Sequence, residues 1–381
     1  MFVRFAVAIV AFALSAVATA QVKIGLMVSA TGPTTAIGQP QRNTGELLPP
    51  RIGDTTIDYI SLEDGGDTTR AVQNVKKLIQ EHNVDAIIGP STTPNALAIL
   101  DAIAESGTPL MATVGTSSVV EPLDAKRRWV FKTTQNDDLI AAALVKHMKK
   151  AGVKTFGFIG FKDPYGENWN RVFVPMAQKA GIERVATEYY QRADLSVTGQ
   201  ALKLIAAKPD AVLVAGVGGP GVLPQTTLRD LGYKGAIYQT HGVATDDFIR
   251  LGKEKVEGTV LAAGPMLVID EIADANPIKR VSLRYIRAYE KLFGQKPATF
   301  GANTYDAGLI LQAAMPAALA KAKPGTPEFR RALRDSVENN VRDLVGCQGV
   351  FNMSATNHNG MDERARVLVT VRDGKFRLVP E

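Results

Sequence analysis

Short runs of β-branched and apolar residues alternate along the chain with longer segments in which apolar residues recur every three to four positions. The first pattern predicts strands and the second predicts amphipathic helices. In the first part of the chain the predicted strands are 22–28, 56–62, 86–89 and 109–113, and the predicted helices are 69–82 and 94–105. These strands carry few polar residues, which is typical of a parallel sheet covered by helices on both faces.

The same alternation begins again after Thr134. Strands are predicted at 155–160, 185–190, 211–215 and 256–262, and helices at 138–151, 167–180, 198–207 and 221–231. Two β-α arrays in series predict an α/β protein with two doubly wound parallel-sheet lobes.

The last part of the chain has a different order. Predicted helices at 278–293, 304–320 and 328–337 precede predicted strands at 349–351 and 365–371. Because these strands are too few for a third domain, we expect this part to return to the lobes already begun. We assign 21–134 plus 266–345 to an N-terminal lobe and 135–265 plus 346–381 to a C-terminal lobe. Several chain crossings would form a hinge, and a hinge creates a cleft that can close.

The first twenty residues are typical of a secretory signal peptide. Arg4 is their only charged residue, 5–17 is apolar apart from one Ser, and Ala18-Thr19-Ala20 ends the segment. The apolar part is shorter than the ~20 residues that span a bilayer. We therefore expect cleavage before Gln21 and export to the periplasm.

Composition narrows the possible partners and cofactors. The chain has 381 residues, 45% hydrophobic and 22% charged, with a net charge of +6 and one cysteine, Cys347. The basic residues are scattered, so no nucleic-acid partner is expected. A single cysteine forms no internal disulfide, and no Cys or His cluster indicates a metal site. We expect a monomer.

Small hydroxyl residues and glycine concentrate at three junctions between a predicted strand and the following helix. These junctions are 29–35, 89–94 and 113–118. Hydroxyl groups and free backbone N–H groups at such positions suit the binding of a carboxylate. Helix capping explains any one of them equally well, but three fall in one lobe. In the second lobe Tyr165 is placed near the cleft, and His241 is either a ligand contact or a structural histidine.

Enzymatic chemistry has little support. A G-x-G-x-x-G run at 216–221 follows a predicted strand, but the next strand ends in Gln239-Thr240-His241, without the acidic residue that binds a dinucleotide ribose. No cofactor is therefore expected. The motifs of serine hydrolases and metallopeptidases are absent, and His82 and His147 are predicted to face solvent on helices. An exported α/β enzyme is the less favoured alternative to a binding protein.

Six segments together resemble the substrate-binding proteins of bacterial ATP-binding-cassette importers, the branched-chain amino acid (Leu/Ile/Val) type. They are KIGLMVSATGPTTAIG, DAIIGPSTTPNALA, PLMATVGTSS, DPYGENW, DAVLVAGVGGPG and NTYDAGLIL. The resemblance covers essentially the whole chain after residue 20. It implies a type I periplasmic-binding fold, with a three-crossing hinge, a ligand held between the lobes and a membrane permease as partner. A sensory receptor that passes its ligand to a chemoreceptor or kinase remains an alternative.

The resemblance also implies ligand-binding residues. A hydroxyl group corresponds to Thr93, with Ser91 and Thr92 beside it; the segment that holds the ligand carboxylate corresponds to Gly115, Thr116 and Ser117; and a tyrosine that covers the ligand corresponds to Tyr165. Other positions depart from the pattern. Val217 replaces a second aromatic residue, and His241 replaces the acidic residue that pairs with the ligand ammonium.

The residue at position 241 indicates the class of ligand. A buried ammonium without a carboxylate partner would cost several kcal/mol, whereas imidazole favours an oxygen acceptor or an anion. We therefore expect a carboxylate without an amino group, such as an aromatic acid, a 2-oxo acid or a small dicarboxylate. If the charged form of His241 holds the ligand, affinity should weaken as the pH rises past about 7.

Overall fold

The computed structural model describes residues 21–379, so the expected signal peptide lies outside the described residues. The first sheet is built from β1 (Gln21–Val28), β2 (Arg51–Ile52), β3 (Thr55–Glu63), β4 (Ala86–Ile88), β5 (Leu110–Ala112) and β6 (Val130–Lys132). Their order is β2-β3-β1-β4-β5-β6, and only β2 pairs antiparallel. The predicted parallel sheet is confirmed.

The helices between these strands are α1 (Thr35–Gly45), α2 (Thr68–Gln80), α3 (Thr93–Ala98) and α4 (Leu100–Ser106). Helix α2 begins where the Asp67 side chain accepts a hydrogen bond from the Arg70 N–H, at 2.7 Å. The single helix predicted at 94–105 is instead two helices, which meet at Ile99. Helix α1 was not predicted, because its Gly, Pro, Thr and Asn residues are weak helix formers.

The second lobe repeats this construction. It contains α5 (Asp137–Lys150), β7 (Thr155–Phe161), α6 (Pro164–Lys179), β8 (Glu183–Tyr190), α7 (Thr198–Ala206), β9 (Ala211–Ala215), α8 (Leu223–Asp230), β10 (Ala236–Gln239), α9 (Asp246–Gly252) and β11 (Val260–Ala263). The strands β11-β10-β9-β7-β8 are all parallel. The two doubly wound lobes are therefore present as predicted.

The rest of the chain completes both lobes. It forms α10 (Pro277–Phe293), α11 (Thr299–Leu319), α12 (Pro327–Asn340), β12 (Leu344–Val345), β13 (Val350–Phe351), β14 (Val367–Arg372) and β15 (Lys375–Leu378). Helices α11 and α12 bury apolar side chains against β1 in the core of the first lobe. Strands β14 and β15 extend the second sheet, with β14 antiparallel to β11.

The three passages between the lobes meet at a cluster of side-chain amides. Gln135 follows β6, and its Nε2 donates to the carbonyl oxygens of Gln348 and Ala365 at 3.2 and 2.8 Å. Gly264 follows β11, and a Cβ atom there would lie 2.0 Å from Oε1 of Gln348. The Met353 side chain packs in the core of the first lobe. This packing favours a third passage between the lobes after Met353, whereas the predicted boundary is at residue 346. The assignment of residue ranges to the two lobes stays a prediction.

Two expectations about individual side chains have different outcomes. His147 is half-buried and its Nδ1 lies 2.9 Å from the Tyr238 hydroxyl, so the prediction that it faces solvent is wrong. Cys347 is buried with a free thiol, as expected from the sequence.

No helix between residues 21 and 379 has the length and apolar character required to cross a bilayer.

Candidate functional site

A small pocket, partly open to solvent, lies between the two lobes at the carboxyl ends of their strands. Seven of the nine residues that the resemblance implies line it: Ser91, Thr92, Thr93, Gly115, Tyr165, Val217 and His241. Thr116 and Ser117 do not line it. The Thr116 hydroxyl instead accepts a hydrogen bond from the Ser118 N–H at 3.2 Å. Two further lining residues, Thr113 and Val114, fall within the predicted junction 113–118. The sequence analysis missed five: Ile37, Thr134, Arg192, Gly242 and Phe300.

The hydroxyl groups of the first lobe have unequal roles. Ser91 Oγ donates to Gln41 Oε1 at 2.5 Å and accepts from the Ser29 N–H at 2.9 Å, so its hydrogen bonds are made within the protein. Thr113 Oγ1 donates to the Pro90 carbonyl and accepts from Gln41 Nε2. These two side chains fix the junctions after β4 and β5 to helix α1.

Other polar atoms of the pocket are buried without a partner. Thr92 Oγ1, Thr134 Oγ1 and His241 Nδ1 make no hydrogen bond with any atom of residues 21–379. A buried polar group without a partner costs about 1–3 kcal/mol. Because all three residues line the same pocket, a polar ligand group placed there would satisfy them.

His241 approaches the first lobe closely. A Cβ atom on Gly115 would lie 2.5 Å from His241 Nε2, so only a glycine fits opposite the ring in this closed arrangement. Burial, followed by the charge of Lys132, lowers the pKa of His241 to about 3. The imidazole is therefore neutral at pH 7 when the lobes are closed. This differs from the expectation that a charged His241 holds the ligand near neutral pH.

Tyr165 presents its ring to the pocket. It lies in the first turn of α6, which Asp163 caps by accepting from the Tyr165 N–H at 2.8 Å. The Tyr165 hydroxyl lies 2.8 Å from Thr240 Oγ1, and burial raises its pKa well above the usual value. Tyr165 thus lines the pocket, while its hydroxyl group ties α6 to the strand end that carries His241.

A buried pair of charged residues supports the junction after β5. Lys132 Nζ donates to the carbonyl oxygens of Gly115 and Thr116 at 2.5 and 3.2 Å. Asp137 Oδ2 accepts from Asn168 Nδ2 at 2.5 Å. Burial lowers the pKa of Lys132 and raises that of Asp137, and each partner opposes the shift of the other. The pair fixes the backbone around Gly115 without lining the pocket itself.

The charges around the pocket are unevenly distributed. Arg192 lines it, whereas no Asp or Glu of the described chain does. Its apolar lining comes from Ile37, Val114, Val217 and Phe300. Within residues 21–379 no three His, Cys, Asp or Glu side chains come together as a metal site. This arrangement can hold a small molecule with an apolar body and an oxygen-rich polar end.

Comparisons with known proteins agree with this geometry. The family described as "Periplasmic binding protein" matches residues 21–375. An extracellular ligand-binding receptor from Rhodopseudomonas palustris HaA2 is 46% identical, with a TM-score of 0.92 over 95% of this chain and 100% of that one. A curated Leu/Ile/Val-binding protein from Rhizobium johnstonii is 24% identical over 66% of this chain and 70% of its own length.

A more distant structure shows the fold alone. It is a solute-binding protein of an ABC transporter from R. palustris in complex with benzoate, 20% identical with a TM-score of 0.79 over 94% of this chain and 95% of that one. The matches confirm the resemblance to the branched-chain amino acid type and its type I fold. The chain therefore belongs to the periplasmic binding protein family, whose members are solute-binding proteins and not enzymes.

Proposed function

We propose that this protein binds a small carboxylate without an amino group between its two lobes in the periplasm and delivers it to an ABC permease. The observation that carries the proposal is the set of buried, unpartnered atoms Thr92 Oγ1, Thr134 Oγ1 and His241 Nδ1. Hydrogen bonds to a charged group contribute about 1.5–3 kcal/mol each. A ligand carboxylate could therefore satisfy atoms that are costly to bury without a partner.

The charges near the pocket support an anion over an amino acid. An α-ammonium would need an ionised partner, and no Asp or Glu among the described residues lines the pocket. Asp137 is the nearby buried carboxyl group, but burial raises its pKa, which disfavours the ionised form. Arg192 adds a guanidinium group to the lining; its Nε is paired with Asp163 Oδ2 at 2.6 Å, and its remaining N–H groups favour an oxygen acceptor over an ammonium. A branched-chain amino acid is therefore the less favoured ligand.

The fold itself does not select between these ligands. One relative is named for leucine, isoleucine and valine, and one structure of the same fold holds benzoate. The choice is made by the side chains of the pocket, in which a neutral His241 and the cation of Arg192 take the place of an acidic group.

Delivery to a permease depends on the two states of the hinge. A bound ligand stabilises the closed form only to the extent that it binds that form more tightly. Atoms from both lobes meet across the pocket, including Ser118 Oγ, which donates to Asn168 Oδ1 at 2.8 Å. We propose that the permease recognises the surface that forms when the lobes close.

A matched pair of ligands tests the proposed ligand class. Leucine and 4-methyl-2-oxopentanoate differ only in an amino group and an oxo group on the same carbon skeleton. We expect the oxo acid to raise the unfolding temperature, because a ligand at 100 times its Kd adds about 2.7 kcal/mol. Leucine should give no shift, and calorimetry would give both affinities. Tighter binding of leucine than of the oxo acid would contradict the proposal.

Transport is tested separately in cells. Deleting the gene should abolish uptake of the radiolabelled acid, and the full-length chain should restore uptake. A chain without residues 2–20 should fail to restore it, because it would stay in the cytoplasm. Normal uptake in the deletion strain, with ligand-dependent swimming or gene expression lost, would instead indicate a sensory receptor.

A further inference from the structure

Arg192 is held rigidly at the pocket by two contacts within its own lobe. Its Nε donates to Asp163 Oδ2 at 2.6 Å, and its Cζ lies 4.2 Å above the centre of the Phe161 ring. The Arg192 side chain is 19% exposed. Since both contacts come from residues at the end of β7 and the start of α6, the guanidinium position does not depend on the first lobe.

Asp163 is itself fixed by the start of α6. Its Oδ1 accepts from the N–H groups of Tyr165 and Gly166 at 2.8 and 3.3 Å, and Oδ2 is the atom that Arg192 contacts. This carboxylate therefore orients Nε of Arg192 and leaves the opposite edge of the guanidinium available. Neither Nη atom of Arg192 donates a hydrogen bond to an atom of residues 21–379. Two parallel N–H groups on a planar fork match the two oxygens of a carboxylate.

The unpartnered hydroxyl groups and Arg192 belong to different elements of the pocket. Thr92 precedes α3 in the first lobe and Thr134 follows β6, whereas Arg192 follows β8 in the second lobe. The same pocket is also lined by apolar residues, with Ile37 and Val217 among them. A ligand that satisfied both sets of donors would carry an oxygen group at each end of an apolar body.

We infer that Arg192 is a specificity-determining residue that binds a second oxygen acceptor of the ligand, and that the ligands are small acids with an oxygen group at both ends. This assignment rests on the proposed function and narrows its ligand class from acids in general to two-ended acids. A second carboxylate fits the free fork best. A hydroxyl or carbonyl oxygen of the ligand would accept from only one of the two N–H groups of the Arg192 fork.

Calorimetry on the wild-type protein gives the first test. Each one-ended acid is compared with two-ended acids on the same carbon skeleton: pentanoate with glutarate, and benzoate with both terephthalate and 4-hydroxybenzoate. We expect at least one two-ended acid to bind about tenfold more tightly or better than its one-ended counterpart. Terephthalate and 4-hydroxybenzoate distinguish a second carboxylate from a hydroxyl group. Equal affinities within every pair would overturn the role of Arg192 and leave the proposed function intact.

Variants give the second test. Arg192→Gln should weaken the two-ended acid about tenfold and change the one-ended acid less than about twofold, and Arg192→Lys should fall between. Lys162→Gln removes a nearby exposed charge outside the pocket and should change neither. An equal loss for both acids in Arg192→Gln would show that Arg192 acts through general charge or folding, which the unfolding temperature would report. If no acid of either kind binds the wild type, the proposed function fails first and this assignment fails with it.

Discussion

Gly115 and His241 lie in contact across the cleft, at a distance that leaves no space for a side chain on Gly115. A Cβ atom at this position would lie 2.5 Å from His241 Nε2 and 3.0 Å from Asp137 Oδ1. The first neighbour belongs to the second lobe, and the second lies at the start of α5, just after the first passage between lobes. The size of residue 115 therefore controls how far the lobes can close.

We expect Gly115→Ala to shift the protein towards the open form and to weaken ligand binding about tenfold or more, because only the closed fraction binds tightly. Calorimetry would give the affinity, and small-angle X-ray scattering would give the radius of gyration with saturating ligand. Gly199→Ala is the matched control, since a Cβ atom on Gly199 meets no atom within 4 Å. Wild-type affinity in Gly115→Ala would show that closure does not bring these residues together.

Replacing an unpartnered hydroxyl should separate binding from stability. Thr92→Val and Thr134→Val remove buried oxygens that have no partner in the described chain, so the unfolding temperature should stay equal or rise. Each should weaken a bound carboxylate about tenfold or more, the loss of one hydrogen bond to a charged group of about 1.5–3 kcal/mol.

The control for these variants is Thr259→Val. Thr259 Oγ1 donates to the Val256 carbonyl at 2.6 Å and accepts from Gln225 Nε2 at 2.5 Å, away from the pocket. We expect lower stability and unchanged affinity. The opposite pattern, stability lost in Thr92→Val with affinity retained, would show that the Thr92 hydroxyl has a structural role.

The acid sensitivity of ligand binding should follow His241. Closure lowers its pKa from the ordinary 6.5 to about 3 by burial, so the closed form binds fewer protons than the open form between these values. Lowering the pH below about 6.5 therefore favours opening, and affinity should fall by up to tenfold per pH unit. Above 7 the histidine contributes no pH dependence.

His241→Asn should remove this acid sensitivity between pH 6.5 and 5.5. Lys132 and Asp137 also have shifted pKa values near the site, so the comparison of the two profiles isolates the histidine. Calorimetry with a carboxylate ligand that stays ionised in this pH range, in buffers of different ionisation enthalpy, would give the affinity and the proton uptake together. If acidification instead raises the affinity of the wild type and not that of His241→Asn, the protonated His241 ring contacts the ligand.

Removing one member of the buried pair should be costly. Lys132→Met removes the buried ammonium that donates to the Gly115 and Thr116 carbonyl oxygens and that favours the ionised form of Asp137. We expect the groups left without a partner to cost about 3–5 kcal/mol in the free energy of unfolding. Adding Asp137→Asn should recover part of that loss. Urea unfolding would measure both.

A surface ion pair supplies the comparison. Lys126 Nζ lies 2.5 Å from Asp101 Oδ1, with both side chains more than half exposed. Lys126→Met should cost much less stability than Lys132→Met, because water and salt screen an exposed ion pair. A similar loss of unfolding free energy in Lys126→Met and Lys132→Met would mean that water reaches Lys132 and Asp137 in solution.

Most of the pocket could be predicted from strand ends. In parallel sheets the carboxyl ends of strands meet at one edge, so the strand ends predict that Thr92 and Gly115 lie near one another. The expected hinge between the lobes then brings His241 opposite them. Arg192 obeys the same rule, two residues after β8, and could have been found by it. Thr134 and Phe300 could not, because one lies in a passage between the lobes and the other in a helix far along the chain.

Other differences between sequence and structure have local causes. Thr116 and Ser117 share the composition of the junction, but the Thr116 side chain caps a short 3-10 turn at Ser117–Val119 instead of lining the pocket. Hydroxyl residues serve capping and ligand binding with the same atoms, so composition alone does not separate these roles. His147 occupies a helical position whose exposure depends on Tyr238 of β10, a residue that no local pattern connects with it.

The order in which the core elements are synthesised has a consequence for the folding of the first lobe. The first sheet is complete at Lys132, but the apolar face of β1 is covered by α11 and α12, which begin only at Thr299 and Pro327. The first lobe therefore cannot finish its core until most of the chain has been made. Until then the apolar face of β1 stays uncovered by these two helices. Truncation before Thr299 should leave an aggregation-prone fragment.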